Sequence, residues 1–173
     1  LMPMFERSVL PPLGRSLGAG RYAASLVLRL SGVPESVADE KLAPVLALAG
    51  RELGFTILAS LGQVDFHARA AAATPARARA LIAKVRRLAL RQVGEHVFGE
   101  GPQTLESSIG DLLRARRLSL AVAESCTGGM IGAKLTSTAG SSDYFLGGVL
   151  SYADAVKTGL LGVRPEPQRR HGA

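Results

Sequence analysis

"LSLAVAESCTGGM", residues 118–130, passes from an apolar run into Glu124, Ser125, Cys126 and Thr127, and then into a glycine pair. The apolar run reads as a short buried strand and "GGMIGAKL" (128–135) as the start of a helix, so the polar residues fall where strand gives way to helix. Downstream the alternation repeats: "YFLGGVLSY" (144–152) reads as a strand and "ADAVKTGLL" (153–161) as a helix ended by Gly162. Upstream, Thr104 caps a helix with Leu105, Ile109, Leu112 and Leu113 as its apolar stripe. Helix and strand in alternation imply a parallel sheet.

Further toward the N-terminus the pattern changes at "GEGPQ" (99–103), a composition shift that marks a boundary. In "SLVLRL" (25–30) Leu26, Leu28 and Leu30 share one face, the period of a half-buried strand. Leu42, Val45, Leu46, Ala49 and Leu53 then recur at helical spacing up to Gly54, with Pro44 expected at a kink or in the first turn. "FTILASLGQVDFHARA" (55–70) reads as two extended runs about a turn near Gly62 and Gln63, with Val64, Phe66, Ala68 and Ala70 alternating against polar neighbours. Thr74 caps and Pro75 opens a second helix whose buried stripe is Ala78, Leu81, Ile82, Val85, Leu88 and Ala89. Strand, helix, strand, strand, helix makes a compact α+β module over residues 21–100. Residues 1–20 read as a short helix, Phe5 to Leu10, stopped by Pro11 and Pro12 and followed by a loop with Gly14, Gly18 and Gly20.

Twenty-one basic residues against fourteen acidic give a net charge of +7. That favours anionic partners in general and does not single out nucleic acid. Cys126 is the sole cysteine, which excludes an intrachain disulfide and suits a reducing cytoplasm. No apolar run approaches the roughly 20 residues of a membrane-spanning helix, and no signal peptide is recognisable. The chain opens on Leu1 and closes on "PEPQRRHGA", so both ends are expected to be cut. His67, His96 and His171 lack metal-ligand spacing; neither a metal nor a cofactor is assigned.

In an open parallel sheet, ligands gather beyond the carboxyl ends of the strands. Two such ends carry Glu124 to Thr127 and Ser151 with Tyr152, and Lys157 follows about a turn into the next helix. If the two strands are neighbours, Ser125, Tyr152 and Lys157 can converge. A serine hydroxyl needs a base to become a nucleophile, and a lysine in a partly dry, positively charged pocket can supply one. The Gly128–Gly129 step lets backbone approach closely, and helix-start amides can hold an oxyanion or phosphate. Taken singly, each residue has a plainer reading. Ser125 or Thr127 serves as a helix cap, Lys157 as a solvated helix lysine, Tyr152 as a strand-end aromatic and Cys126 as a small buried filler. The basic run Arg77, Arg79, Lys84, Arg86, Arg87 and Arg91 is better read as a solvated outer face than as a phosphate-binding one.

The order E-S-C-T-G-G, then G-S-S-x-x-F-x-G-G, then Y-x-x-x-x-K and L-G-V, over roughly the last seventy residues, closely resembles the opening half of the CinA carboxy-terminal domain, the nicotinamide mononucleotide deamidase family. "MPMFERSVLPPL" resembles the end of the molybdopterin-binding-like domain of that family, and the α+β module resembles its KH-like connector. The resemblance implies an α+β KH-like connector (21–100) between a domain tail (1–20) and the truncated start of an α/β parallel-sheet deamidase domain (101–173). It places a serine nucleophile on Ser125, a lysine base on Lys157 and an active-site tyrosine on Tyr152, with Glu124, Thr127, Gly128 and Gly129 around the substrate. It implies hydrolysis of nicotinamide mononucleotide to nicotinate mononucleotide and ammonia, in a homo-oligomer. A later glycine-rich loop that completes the pocket in the family has no counterpart here. No G-x-x-G loop is found between residues 21 and 98, so nucleic acid is not the expected partner. The alternative is a non-catalytic connector or nucleic-acid-binding module.

Overall fold

The structure, a computed structural model, describes residues 7, 21–60, 62–164 and 166. The expected Phe5–Leu10 helix, Arg7 aside, and the loop containing Gly14 and Gly18 lie outside them. The chain divides into two compact units, Leu1–Pro102 and Gln103–Ala173.

The first unit runs β1 (Tyr22–Ser31), α1 (Glu35–Leu46), β2 (Leu53–Ser60), β3 (Gln63–Ala72), α2 (Pro75–Val93), a 3-10 turn (Gly94–His96) and β4 (Val97–Glu100). Its strands form an antiparallel sheet in the order β2-β3-β1-β4. Cross-strand pairing puts Leu26, Leu28 and Leu30 opposite Ala68, Phe66 and Val64. All six share one face and bury against Leu42 and Val45 of α1 and Val85, Ala89 and Val93 of α2. Each large aliphatic so buried contributes about 1.5–3 kcal/mol, which makes this layer the stabilising centre of the unit. Thr74 caps α2 by accepting the Arg77 amide at 3.2 Å, with Pro75 at the first helical position.

Two expectations for this unit fail for non-local reasons. The helix of Leu42 to Leu53 ends at Leu46, and Pro44 lies in its last turn, not in the first turn, one of the two places expected for it. Leu48 and Ala49 turn back onto Val45 and Leu46, and Leu53 and Gly54 pair with Ala70 and Arg69 as β2. Sheet pairing thus overrides the helical spacing of the apolar residues. Strand β4, absent from the sequence reading, is four residues long and becomes a strand by pairing with β1.

The second unit comprises α3 (Leu105–Arg116), β5 (Leu120–Glu124), α4 (Met130–Thr136), a 3-10 turn (Ser141–Asp143), β6 (Phe145–Leu150) and α5 (Asp154–Leu161). Thr104 and Ser107 form a reciprocal capping box at the start of α3. Strands β5 and β6 pair in parallel, Val122 opposite Gly148 and Glu124 opposite Leu150. The expected buried strand is only half-buried, with Ala121 and Ala123 exposed, because a sheet two strands wide shields little of either face. The stripe on α3 also differs: Leu112 is exposed, and the buried residue is Gly110, against the Tyr144 ring. Among the described residues no helix is long and apolar enough to cross a membrane.

Candidate functional site

The polar turn after β5 is organised by Glu124. Its side chain is 5% exposed, with one carboxylate oxygen accepting the Gly132 amide at 2.8 Å and the other the Ile131 amide at 3.0 Å. Burial pushes the carboxyl up. The amides of Gly132 and Ile131, then the Thr127 hydroxyl and the Gly129 amide, more than offset this and hold it below its ordinary value. Gly128 and Gly129 both have positive φ, 61° and 92°, which explains the glycine pair: side-chain-bearing residues rarely take up this left-handed turn.

This arrangement corrects the expectation that the α4 amides await an oxyanion or phosphate. Met130 donates to the Thr127 carbonyl, Ala133 to the Gly129 carbonyl, and Ile131 and Gly132 to Glu124. A carboxylate of the chain itself already fills that place. Cys126 is exposed rather than a buried filler.

Parallel pairing sets the two strand ends side by side. The Ser151 amide donates to the Glu124 carbonyl at 2.7 Å, and the buried Ser151 hydroxyl reaches the same oxygen at 3.2 Å. Ser125, half-buried, follows on one strand and Tyr152 on the other. Tyr152 is 76% exposed. Lys157 is not a solvated helix lysine: it is 8% exposed, and its ammonium lies 3.3 Å from Asp154 Oδ1, one turn earlier in α5. The charge beside it is therefore a carboxylate, where a cationic pocket was expected. Among the described residues no hydrogen bond joins Ser125, Tyr152 and Lys157 to one another.

Beside α4, a cleft of about 180 Å³ opens on the β5–β6 face, lined by Val122, Glu124, Gly129, Gly132, Phe145 and Gly148, among others. It is smaller than the roughly 300–1,000 Å³ of most small-molecule sites. Among the described residues no three His, Cys, Asp or Glu side chains are grouped to hold a metal ion. Sequence reasoning gave no role to Ser151 or Asp154. Asp154 had a readable signal, since it stands three residues before Lys157 at the start of a helix. Ser151 had none, because its bond to Glu124 exists only once β5 and β6 pair.

Residues 102–173 match the family described as the CinA C-terminal domain, and residues 25–99 the damage-inducible protein CinA KH domain. A CinA-like protein of Solibacter usitatus is 39% identical over 173 residues, all of this chain and 41% of its own length. A CinA-like protein of Nostoc punctiforme is 40% identical over 99% of this chain and 41% of its own. The chain thus spans about two fifths of the length of these curated relatives. Among solved structures, the competence damage-inducible protein A of Klebsiella pneumoniae is 36% identical over 40% of this chain and 43% of its own, with a TM-score of 0.39.

Proposed function

Because this chain belongs to the CinA family, holding its KH domain and the start of its C-terminal domain, we propose that the second unit carries part of an amidohydrolase site for nicotinamide mononucleotide. The observation that supports this most is the junction of the two strand ends. Ser151 bonds Glu124, so Ser125 and Tyr152 leave adjoining strands, and the buried Lys157 belongs to the helix that follows. This is the place in a parallel sheet where ligands collect.

In the proposed reaction, the Ser125 oxygen attacks the carboxamide carbon while Lys157, in its neutral form, takes the hydroxyl proton. The C–N bond breaks, that proton leaves with the nitrogen as ammonia, and an ester to Ser125 remains. Water then cleaves the ester, giving the nucleotide carboxylic acid and restoring the serine. The net change is one amide plus one water to one acid plus one ammonia. Tyr152 orients or relays the proton; Thr127, Gly128 and Gly129 border the substrate. The 180 Å³ cleft is lined by none of Ser125, Tyr152 and Lys157, so in this reading the nucleotide pocket is completed by further chain or by a second subunit of a homo-oligomer.

The test is ammonia release from nicotinamide mononucleotide by this chain and by Ser125→Ala. Release that depends on Ser125 supports the reading. Release that survives the substitution removes the nucleophile from Ser125, and no release from either chain leaves the second unit an incomplete site.

A second reading rests on α2. Arg77 and Arg86 pair with Glu52 and Glu100, but Lys84, Arg87 and Arg91 are exposed on one helix face with no carboxylate partner among the described residues. Such a stripe suits a phosphodiester backbone. Binding of a single-stranded oligonucleotide, weakening with salt by about 0.7 log units per log unit for each phosphate contacted, would favour it. Binding unaffected by reversing these three charges would count against it.

A further inference from the structure

Resting on that amidohydrolase reading, we propose that Glu124 is the positioning residue for Ser125, and not a contact for the substrate. Each carboxylate oxygen of Glu124 already accepts a hydrogen bond from an amide of the protein, one from that of Ile131 at 3.0 Å and the other from that of Gly132 at 2.8 Å, and the residue is buried. Both oxygens are thus engaged within the fold.

What the residue does instead follows from its backbone. The Glu124 carbonyl oxygen accepts two hydrogen bonds from Ser151, from the amide at 2.7 Å and the hydroxyl at 3.2 Å. A peptide group is planar, so fixing that oxygen also fixes the Ser125 nitrogen and the start of the Ser125 backbone. On the other side of the turn, the carboxylate holds the first turn of α4, into which residues 125–129 lead. The segment that carries the serine is therefore tied at both ends to one residue, by carbonyl at the end of β5 and by carboxylate at the start of α4.

The consequence is a serine held in place before substrate arrives. Displacing a nucleophile by about 1 Å can cost about 100-fold in rate, whereas a residue that only grips substrate chiefly changes KM.

The experiment follows Ser125 with two readouts on the full chain. One is the rate of covalent labelling by a fluorophosphonate, located by mass spectrometry; the other is kcat and KM for ammonia release. Glu124→Gln is expected to slow labelling and lower kcat by about 100-fold with KM unchanged. Ser151→Ala is expected to lower both about 10-fold, and Ser151→Thr, which keeps the hydroxyl, to restore them. Wild-type labelling and kcat in Glu124→Gln overturn the proposal, as does an unchanged kcat with a raised KM, which would make Glu124 a substrate contact. Should Glu124→Gln fail to fold, the Ser151 pair decides: equal rates in Ser151→Ala and Ser151→Thr overturn it. In a wild-type chain that is labelled at Ser125 but releases no ammonia, the site is incomplete for turnover and positioning is judged on labelling alone. A wild-type chain that is not labelled at Ser125 overturns both.

Discussion

Gly148 packs so closely on Val122 that a Cβ at that position would stand 2.6 Å from Val122 Cγ2 and 3.1 Å from the Val122 carbonyl oxygen. These two residues face each other across the parallel pair of β5 and β6. Val122 is β-branched and has little rotamer freedom, and the second contact is backbone, so the strands themselves must give way. Gly148→Ala is expected to destabilise the second unit by about 1–3 kcal/mol, read from denaturant unfolding. A change near zero would mean the strands lie further apart than described.

Tyr144 is buried with its hydroxyl unpaired among the described residues, while its ring lies under the Arg114 guanidinium, 5.2 Å from the ring centroid. An unsatisfied buried hydroxyl opposes folding by about 1–3 kcal/mol, so Tyr144→Phe is expected to be neutral or stabilising in thermal unfolding. Gly110→Ala should be harmful, since the added Cβ would meet the same hydroxyl at 2.9 Å. Tyr144→Phe should then relieve part of that loss. A clear loss of stability in Tyr144→Phe alone would show that the hydroxyl has a partner.

Glu124 makes stability depend on pH with a defined sign. Its folded-state carboxyl lies below its ordinary value, so the unfolded chain binds the proton more readily. The stabilisation is complete above the ordinary carboxylate range and is lost as pH falls through the lowered folded-state value. Glu124→Gln should therefore melt below wild type at pH 7, and the gap should close on acidification. A gap that persists unchanged into acid would show that the ionised carboxylate contributes nothing.

The second unit exposes Leu146, Leu150 and Leu160 and has a sheet of two strands, whereas the first buries one face of a four-stranded sheet. Two-stranded sheets are marginal by themselves. Amide exchange in β5 and β6 is expected to be faster than in β1 and β3, as hydrogen–deuterium exchange can show. Uniformly slow exchange across both units in a monomeric chain would contradict this.

The elements that could be read from the sequence are those whose cause is local. Thr74 and Thr104 sit before their helices and cap them, Gly162 ends α5 in the left-handed conformation, and the alternation of Leu26, Leu28 and Leu30 marks one buried face. The order of elements also sufficed for an α+β module followed by the start of a parallel sheet, because helix and strand periods and turn residues are written within a few positions of each other. The strand ends followed by Ser125 and by Tyr152, and the helix that carries Lys157, were legible in the same way.

Tertiary structure decided what depends on distant partners. Leu53 and Gly54 became strand because Ala70 and Arg69 lie opposite, and Val97–Glu100 became strand because β1 offered an edge. Lys157 was buried beside Asp154, and the α4 amides were taken by Glu124 rather than left to a ligand. The Ser151 bond to Glu124 spans 27 residues. The Asp154–Lys157 pairing is written in its spacing, but no spacing along the chain encodes the burial of Lys157 or the pairing of the strands: these are settled by which surfaces pack together, and only folding brings those surfaces into register.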